Sequence, residues 1–225
     1  SCLFELDEQL TSYDSKLHVL YGHSTQVLDQ LIRQHNIHAV YSSRDYTPFA
    51  RQRGHELKEL ASKHSVEFIQ VDDYLLHPPE EIAKADGTRY TVYTPFFNSA
   101  SKLRVLEPST SIPNKFIRLD ALESQLSRLE HLTNLDYRSN SNKIGRNAAL
   151  KILRDLHQFQ NYAEERDIPA LDRTTKLSAH LKFGTVSVRE VYHAISQQLG
   201  STSILIKELF WRDFFSHIAL HHPHV

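Results

Sequence analysis

The stretch Lys207-Glu208-Leu209-Phe210-Trp211-Arg212-Asp213-Phe214-Phe215 sets the only tryptophan of the chain among two acids, two cations and three phenylalanines. A helix turns about 100° per residue, so a carboxylate, an indole, a guanidinium and a phenyl ring of this stretch lie on one face, within about a quarter of the circumference. These groups belong to Glu208, Trp211, Arg212 and Phe215. A buried face rarely carries three polar-tipped side chains, and a solvated face rarely carries a Trp and a Phe. The pattern therefore predicts a helix that lines a site, while an amphipathic helix with an ordinary i,i+4 ion pair stays open as the alternative.

The composition is that of a globular protein. The chain has 225 residues, of which 40% are apolar, and a formal net charge of −1. This supports one large domain or two small ones, and any nucleic-acid binding must depend on a local patch. The single cysteine, Cys2, excludes an internal disulfide framework. The sequence shows neither a signal pattern nor an apolar run of membrane length, so we expect a cytoplasmic protein without membrane contact.

The first half of the chain alternates β-rich runs with helical periods, which predicts a parallel sheet covered by helices. The predicted strands are Leu17–Tyr21, Ile37–Tyr41 and Val66–Val71, and the predicted helices between them are Ser24–Ile32 and Phe49–His64. Ligands of such sheets bind beyond the carboxyl ends of the strands, here around Ser42–Tyr46 and Asp72–Leu75. The six glycines form neither of the two nucleotide-binding glycine motifs, G-x-G-x-x-G and G-x-x-x-x-G-K-[ST]. The sequence therefore argues against a nucleotide dehydrogenase and against a P-loop enzyme.

A change of pattern in the middle of the chain predicts two domains. Residues His77 to Pro95 are rich in turn residues and predict a connector or lid. After the linker-like stretch Glu107–Asn114, β-rich runs disappear and only helical periods remain. The predicted helices are Leu119–Leu132, Asn142–Glu165, Ser187–Leu199 and Ser203–Leu220. We therefore predict an α/β domain at residues 1–104, a linker at 105–141 and an all-helical domain at 142–225.

Two polar clusters in the helical half have the chemistry to meet phosphate. The first is a basic stripe, for which a solvated helix face balanced by acids is the alternative. Its members are Lys143, Arg146, Lys151 and Arg154. The second is Asp172–Ser178, whose hydroxyls and backbone N–H groups could hold a diphosphate, with simple helix capping as the alternative.

The fifteen histidines do not predict a metal site. His217 and His221 lie one helical turn apart, but no cysteine lies nearby and no H-E-x-x-H motif occurs. No nucleophile elbow assembles a catalytic triad either, so we assign no covalent nucleophile.

Four stretches of the chain resemble motifs of the DNA photolyase/cryptochrome family, in the family's order and separation. They are Thr174–Ser178 with Leu181–Arg189, Glu208–Phe215 with His222–His224, Asp45–Arg51, and Tyr93–Phe97. The first is similar to the family's flavin-binding core and the second to its next signature. The other two are similar to motifs of its N-terminal α/β antenna domain. The resemblance covers nearly the whole chain and is weakest between Val105 and Arg138.

The resemblance implies a light-driven, FAD-dependent enzyme that repairs cyclobutane pyrimidine dimers in UV-damaged DNA. The implied FAD ligands are Tyr162, Thr174, Thr175, Lys176, Leu177, Ser178 and Arg212. Arg166 is implied to contact a DNA phosphate. Glu208 and Trp211 are implied to be catalytic and to contact the damaged base pair, Trp211 by stacking and Glu208 by hydrogen bonding, once the lesion is flipped out of the duplex. A second antenna chromophore, a folate or a deazaflavin, and a monomeric state are also implied.

The resemblance further implies a piece of a longer protein. The family's opening strand, with its Arg-Arg-Asp-Leu-Arg motif, is not found before Cys2, and the family's helical domain continues beyond Val225. Three positions depart from the family's pattern: Ala179 stands where proline is usual, Lys176 where arginine is common and Asp213 where glutamate is common. None removes an implied contact, although Ala179 is expected to loosen its loop.

A cryptochrome, which binds FAD and signals without repair, is the alternative function. Glu208 with Trp211 resembles dimer photolyases, whereas plant cryptochromes carry an aliphatic residue at the tryptophan position and (6-4) photolyases carry Gln at the glutamate position. Cryptochromes of the DASH type share Glu, Trp and Asp here and stay open. A flavin-free α/β binding module is the third hypothesis, for the case in which these 225 residues are the whole protein.

Overall fold

The computed structural model describes residues 2–109, 111, 113, 115–117, 119, 122–126 and 144–222. Its first part has helices α1 (Cys2–Thr11), α2 (Ser24–Gln34), α3 (Pro48–Lys63) and α4 (Tyr93–Ala100), with strands β1 (Ala39–Ser43) and β2 (Glu67–Val71). Its second part has α5 (Arg146–Arg154), α6 (Tyr162–Glu165), α7 (Leu177–Phe183), α8 (Val188–Leu199) and α9 (Ile204–His221). Short 3-10 turns lie at Pro79–Glu81, Leu156–Phe159 and Pro169–Leu171. The predicted fold class, an α/β part followed by helices, is confirmed.

The sheet pairs β1 with β2 in parallel, with Ala39 opposite Glu67 and Ser43 opposite Val71. Helix α3 makes the crossover between them. It begins one residue before the predicted start at Phe49. Thr47 Oγ1 accepts a hydrogen bond from Ala50 N at 3.4 Å, and a proline follows Thr47 in the first turn. Parallel pairing puts the carboxyl ends of both strands at one edge of the sheet, where the loop after β2 meets the helical part.

The prediction of a strand at Leu17–Tyr21 is wrong, because this segment forms no strand and lies outside the sheet. Its hydrogen bonds go to Asp7 on α1 and to a distant segment instead. Val19 N donates to Ser124 Oγ at 3.0 Å, and Gln125 N donates to Val19 O at 2.7 Å. A run of β-rich residues indicates a segment that suits a half-buried strand. It does not determine which segment it will pair with.

Two other predicted boundaries differ from the structure. The connector predicted at His77 to Pro95 ends early, because α4 begins at Tyr93 with its proline in the first turn, where a proline is tolerated. The predicted helix Asn142–Glu165 is broken, over its described residues, into α5, a 3-10 turn and α6. The break buries Leu156 and Phe159 in the core. The predicted helix Leu119–Leu132, the basic residue Lys143 and most of the predicted linker lie outside the described residues, so the domain limits stay predictions.

One apolar core joins the two parts of the molecule. Helix α4 contributes Phe96 and Ala100, and α9 contributes Phe210 and Phe214, all of them buried. The rings of Phe96 and Phe214 lie 5.3 Å apart. Replacing a buried phenylalanine by alanine costs about 3–5 kcal/mol, so this contact is a substantial part of the stability of the fold.

Two absences concern only the described residues. None of their helices is both long enough and apolar enough to cross a membrane. Their His, Cys, Asp and Glu side chains form no group of three or more that is placed to hold a metal ion.

Candidate functional site

A cleft of about 500 Å³ at helices α6, α7, α8 and α9 collects the residues that the sequence predicts to hold a flavin. Those lining it are Tyr162, Thr174, Thr175, Lys176, Leu177, Ser178 and Arg212, together with Glu208 and Tyr74. Its volume lies in the range of roughly 300–1,000 Å³ that is usual for ligand pockets. Residues from three separate segments meet in this α7–α9 cleft, so all of them can contact one ligand bound there.

Arg212 is held in the α7–α9 cleft by the loop after β2. Its Nη1 donates to the carbonyl oxygen of Tyr74 at 2.6 Å. Its guanidinium also lies 3.8 Å from the centroid of the Tyr74 ring. Only 19% of the side chain is exposed, and a cation–π contact in such a partly desolvated place contributes about 1–2 kcal/mol. Arg212 thus presents its charge from a fixed position.

Glu208, one turn before Arg212, pairs with a different helix. Its Oε1 accepts a hydrogen bond from Nη1 of Arg166, just after α6. This bond raises the pKa of Arg166 above its ordinary value. Burial, and then the charge of Glu208, raise the pKa of the nearby Tyr162. Glu208 and Arg212 therefore do not form the i,i+4 ion pair along α9 that the sequence left open as the alternative. Arg166, which was predicted to contact phosphate, lies against the carboxylate of Glu208.

The hydroxyl-rich segment before α7 has an unusual backbone. Asp172 and Lys176 both have positive φ angles, 45° and 56°, in the left-handed region that non-glycine residues rarely adopt. Of its hydroxyls, Thr175 Oγ1 accepts a weak hydrogen bond from Leu177 N at 3.4 Å. The side chain of Lys176, the N-cap residue of α7, makes no capping bond. Helix capping therefore accounts for Thr175 in part, and leaves the hydroxyls of Thr174 and Ser178 available to a ligand in the described part of the chain.

Trp211 does not line the α7–α9 cleft and packs on α4 instead. Its indole stacks on the ring of Tyr93 with centroids 3.5 Å apart and planes 5° apart. Phe215, which is 63% exposed, lies 5.6 Å from the indole on the next turn of α9. The quarter-turn face predicted from the sequence is thus divided, with Glu208 and Arg212 at the cleft and the two aromatic rings beside it.

Two residues next to the site were missed by the sequence analysis. Tyr93 was named only as the first residue of a stretch that resembles a family motif. Its i,i+4 spacing to Phe97 was the signal that could have indicated an aromatic helix face. Asp213 was noted only as a departure from the family. It is 1% exposed, and its Oδ2 accepts a hydrogen bond from Leu76 N at 2.9 Å. Arg212 and Asp213 together tie α9 to the loop after β2.

A second cleft, of about 460 Å³, lies at the carboxyl ends of the strands. It is lined from the α/β part by residues that include Ser43, Arg44, Arg53 and Asp73. Lys182 and Arg212 are among its lining residues from the helical part. Arg44 is tied to Asp72 at 3.4 Å and to Glu80, whereas Arg53 lies 5.7 Å from the Phe49 ring. This strand-end cleft occupies the place where the sheet topology predicts a ligand.

The basic stripe divides between structural and exposed roles. Arg146 donates to Glu190 at 2.7 Å and to the carbonyl oxygen of Thr185 at 3.0 Å, so it fastens α5 to α8. Lys151 lines a further cleft of about 680 Å³, which shares Thr174, Thr175 and Lys176 with the α7–α9 cleft. The stripe is therefore not one phosphate-facing surface over its described residues.

Comparison with known proteins gives consistent matches. A family model for DNA photolyase matches residues 1–114. The deoxyribodipyrimidine photo-lyase of Synechococcus sp. is 28% identical over 241 residues, which cover 99% of this chain and 50% of that protein. The chain spans about half the length of the curated relatives it matches.

Solved structures match over the same extent. An archaeal photolyase from Sulfolobus tokodaii, whose structure holds two FAD molecules, has a TM-score of 0.80 and 30% identity, covering 99% of this chain and 47% of that one. A bacterial class III photolyase from Agrobacterium tumefaciens has a TM-score of 0.86 and 27% identity, covering 98% of this chain and 48% of that one.

Proposed function

The chain belongs to the DNA photolyase family, and we propose that it contributes the flavin-facing and lesion-facing residues of a deoxyribodipyrimidine photo-lyase, which uses light to repair cyclobutane pyrimidine dimers in DNA. One observation carries the proposal. Seven residues that the resemblance assigns to FAD binding, from three separate segments, line a single cleft of about 500 Å³. Residues that served only helix capping or surface charge would have no reason to converge.

The donor set of the α7–α9 cleft fits FAD. The hydroxyls of Thr174, Thr175 and Ser178 and the backbone around Lys176 offer neutral donors for a diphosphate. Thr175 Oγ1 accepts from Leu177 N and keeps its own proton to donate. The guanidinium of Arg212 offers a fixed positive charge at the cleft. FAD, when bound and reduced, supplies the light-driven electron transfer that opens the cyclobutane ring. The protein's part is to bind, orient and shield the reacting groups.

The lesion is proposed to meet Glu208 and Trp211. A dimer flipped out of the duplex needs a ring to stack on and a hydrogen-bonding group for its base edge. Trp211 supplies the ring and Glu208 the carboxylate, which Arg166 holds at the border of the cleft. Arg166 has further donors on its guanidinium, with which we propose that it also contacts a phosphate of the DNA backbone.

We propose the strand-end cleft as the place of a second, antenna chromophore. The ring of Tyr74 and the cations Arg53 and Lys182 line it, a combination that suits a flat, anionic molecule such as a folate or a deazaflavin. Arg53 lines this cleft and not the α7–α9 cleft, whereas Tyr74, Lys182 and Arg212 line both. The chromophore proposal therefore depends on Arg53 independently of FAD.

The test for FAD binding is the double substitution Thr175→Ala with Ser178→Ala. Each lost hydrogen bond to a charged diphosphate costs roughly 1.5–3 kcal/mol, so the Kd for FAD should rise by about 10²–10⁴-fold. The matched control is Thr11→Ala with Ser12→Ala, which removes two exposed hydroxyls at the end of α1. These hydroxyls donate to the carbonyl oxygens of Asp7 and Gln9. FAD affinity is measured by flavin fluorescence titration. Equal affinity in the double variant and the control would remove Thr175 and Ser178 from the site.

A further inference from the structure

The stack of Trp211 on Tyr93 is the closest ring pair in the described residues. The centroids lie 3.5 Å apart with planes 5° apart, whereas the next closest pair, His217 and His221, is at 4.6 Å. Ring quadrupoles favour offset or edge-to-face pairs and disfavour a parallel stack with little offset. Other contacts must therefore hold these two rings together.

Those contacts belong to Tyr93. Its hydroxyl donates to the carbonyl oxygen of Lys207 on α9 at 2.9 Å. Phe97 lies 5.8 Å away at an interplanar angle of 23°, and Phe214 meets the ring edge-on at 5.7 Å. Burial, and then the charge of Glu208, raise the pKa of Tyr93 to about 12. The phenol, which at its ordinary pKa is already protonated in the neutral range, is thereby held further in its donor form, and its ring is fixed from several sides.

A fixed Tyr93 restricts what Trp211 can do. At a centroid distance of 3.5 Å the phenol covers one face of the indole. A base that stacks on Trp211 must therefore use the opposite face and accommodate the exposed ring of Phe215, which lies 5.6 Å from the indole. The plane of the indole is also set relative to Glu208, which lies one turn earlier on α9. Tyr93 belongs to α4, so a residue of the α/β part determines the orientation of a ring in the helical part.

We propose that Tyr93 is a positioning residue for Trp211, which fixes the indole plane, leaves one face for a base and so governs discrimination between damaged and undamaged DNA. The positioning step stands on the contacts alone. The DNA step rests on the proposed function, and the two steps are tested by separate measurements.

The positioning step is tested by the fluorescence of Trp211, the only tryptophan in the 225 residues. In the wild-type chain we expect an emission anisotropy decay without a sub-nanosecond local component, and weak quenching by acrylamide. Tyr93→Phe keeps the ring but loses the bond to Lys207, so its anisotropy decay and quenching should lie between those of wild type and Tyr93→Leu. Tyr93→Leu should introduce fast local motion and stronger quenching. Tyr90→Leu is the control, because Tyr90 packs edge-on against Phe96 at 6.4 Å and not against Trp211.

Two fluorescence results would overturn the positioning step. The first is free sub-nanosecond motion of the indole in the wild-type chain, a measurement that does not depend on whether Tyr93→Leu folds. The second is equal quenching of Trp211 in wild type and in a Tyr93→Leu variant whose far-UV circular dichroism is native.

The DNA step is tested with an oligothymidylate that carries one cyclobutane dimer and with the same oligonucleotide without it. An ordered aromatic pair contributes about 0.5–1.5 kcal/mol, so Tyr93→Leu should raise the Kd for the dimer by about twofold to tenfold and change that for the undamaged strand by less than about twofold. Tyr93→Phe, which keeps the ring without the bond to Lys207, should give a ratio between those of wild type and Tyr93→Leu. A wild-type ratio that persists in Tyr93→Leu contradicts the inference. A wild-type ratio of one contradicts the proposed function instead and leaves the fluorescence result as it is.

Discussion

Asp213 shows at the level of one residue how burial sets chemistry. It is the only acidic side chain among the buried described residues, at 1% exposed. Desolvation raises its pKa to about 7, while the charge of Arg212 and the backbone amides of Leu76 and His77 act in the opposite direction. Its carboxyl group is therefore protonated in the folded chain at a pH where the same group in the unfolded chain is ionised.

This shift predicts a pH-dependent stability. The unfolded pKa of an aspartate is about 3.9, so the contribution of Asp213 is fully present below about pH 4 and is lost as the pH rises through about 7. Asp213→Asn keeps an oxygen for Leu76 N and should remove this loss, so that urea unfolding at pH 8 shows the variant to be at least as stable as wild type. His217, whose pKa burial lowers to about 4, has the opposite dependence in both proteins, and the difference between the two curves cancels it.

The control for this prediction is Asp86→Asn. The pKa of Asp86 is lowered by its hydrogen bonds to Thr88, so its contribution is present above the unfolded pKa and is lost as the pH falls. A difference curve for Asp213→Asn with the same sign as that for Asp86→Asn would contradict the raised pKa.

Individual site residues were predictable where local chemistry marks them. The helical wheel placed Glu208 and Arg212 on one side of α9, and both line the same cleft. Their partners could not be predicted, because Arg166 is 42 residues from Glu208 and Tyr74 is 138 residues from Arg212. The role of Tyr93 was invisible for the same reason, since no local pattern states which helix α4 packs on.

Helix α5 shows at the level of an element how a helix end can be completed from elsewhere. Its N-cap residue, Gly145, has a φ of 96° and no side chain with which to cap. The carboxylate of Glu5, on α1, accepts from Arg146 N at 2.7 Å and from Asn147 N at 2.9 Å. A Cβ at position 145 would overlap that carboxylate. Glu5 therefore does for α5 what a local Ser or Asp usually does, and a negative charge suits this end of a helix.

This arrangement predicts a stability loss for Glu5→Ala. Loss of an N-cap costs about 0.5–2 kcal/mol, and we expect that reduction in the free energy of unfolding measured with urea. Glu8→Ala, an exposed acid on the same helix, is the control for the loss of one charge. Gly145→Ala should be at least as damaging as Glu5→Ala, because it combines a positive φ with the overlap. Equal stability of Glu5→Ala and Glu8→Ala would disprove the capping role.

The limits of a helix or strand were predictable where residues at its own ends mark them. The start of α3 at Thr47-Pro48 and that of α8 at Ser187 were close to prediction, because the capping side chains are local. The Leu17–Tyr21 segment failed because its partner lies more than 100 residues away at Ser124. The α5–α6 break has no proline or glycine to announce it, and the burial of Leu156 and Phe159 is its only visible cause.

At the scale of the whole molecule, the loop after β2 and helix α4 connect the sheet to the helices. Asp72 O accepts from Arg189 at 3.0 Å, and neighbouring residues of this loop bond to Arg212 and Asp213 on α9. Helix α4 adds the bond from Tyr93 to Lys207. Fold class followed from pattern alone, whereas this junction depends on contacts between residues far apart in sequence.

The proposed repair function predicts separable effects of two substitutions. Trp211→Ala should weaken binding to dimer-containing duplex by about tenfold to a hundredfold, because stacking contributes roughly 1–3 kcal/mol per base, and should leave undamaged duplex nearly unaffected. Arg166→Ala should weaken binding to both duplexes and reduce the salt dependence, because a phosphate contact carries no lesion information. It should weaken binding to the dimer-containing duplex somewhat more, because it also releases Glu208. Phe49→Ala, which removes a ring that is 75% exposed on α3, is the control. Titration of matched duplexes measures all of these effects, and equal wild-type affinity for the two duplexes would favour a cryptochrome.

Tyr74 and Arg212 line both the α7–α9 cleft and the strand-end cleft. The same hydrogen bond and cation–π contact thus form a partition with a ligand place on either side. A molecule on one side that tightens or loosens the hold on Arg212 changes the affinity on the other side, and by thermodynamic linkage the second molecule changes the affinity of the first by the same factor. The occupancy of each cleft then depends on the occupancy of the other. A dissociation constant measured for one ligand has a definite value only when it is stated whether the other cleft is empty or filled.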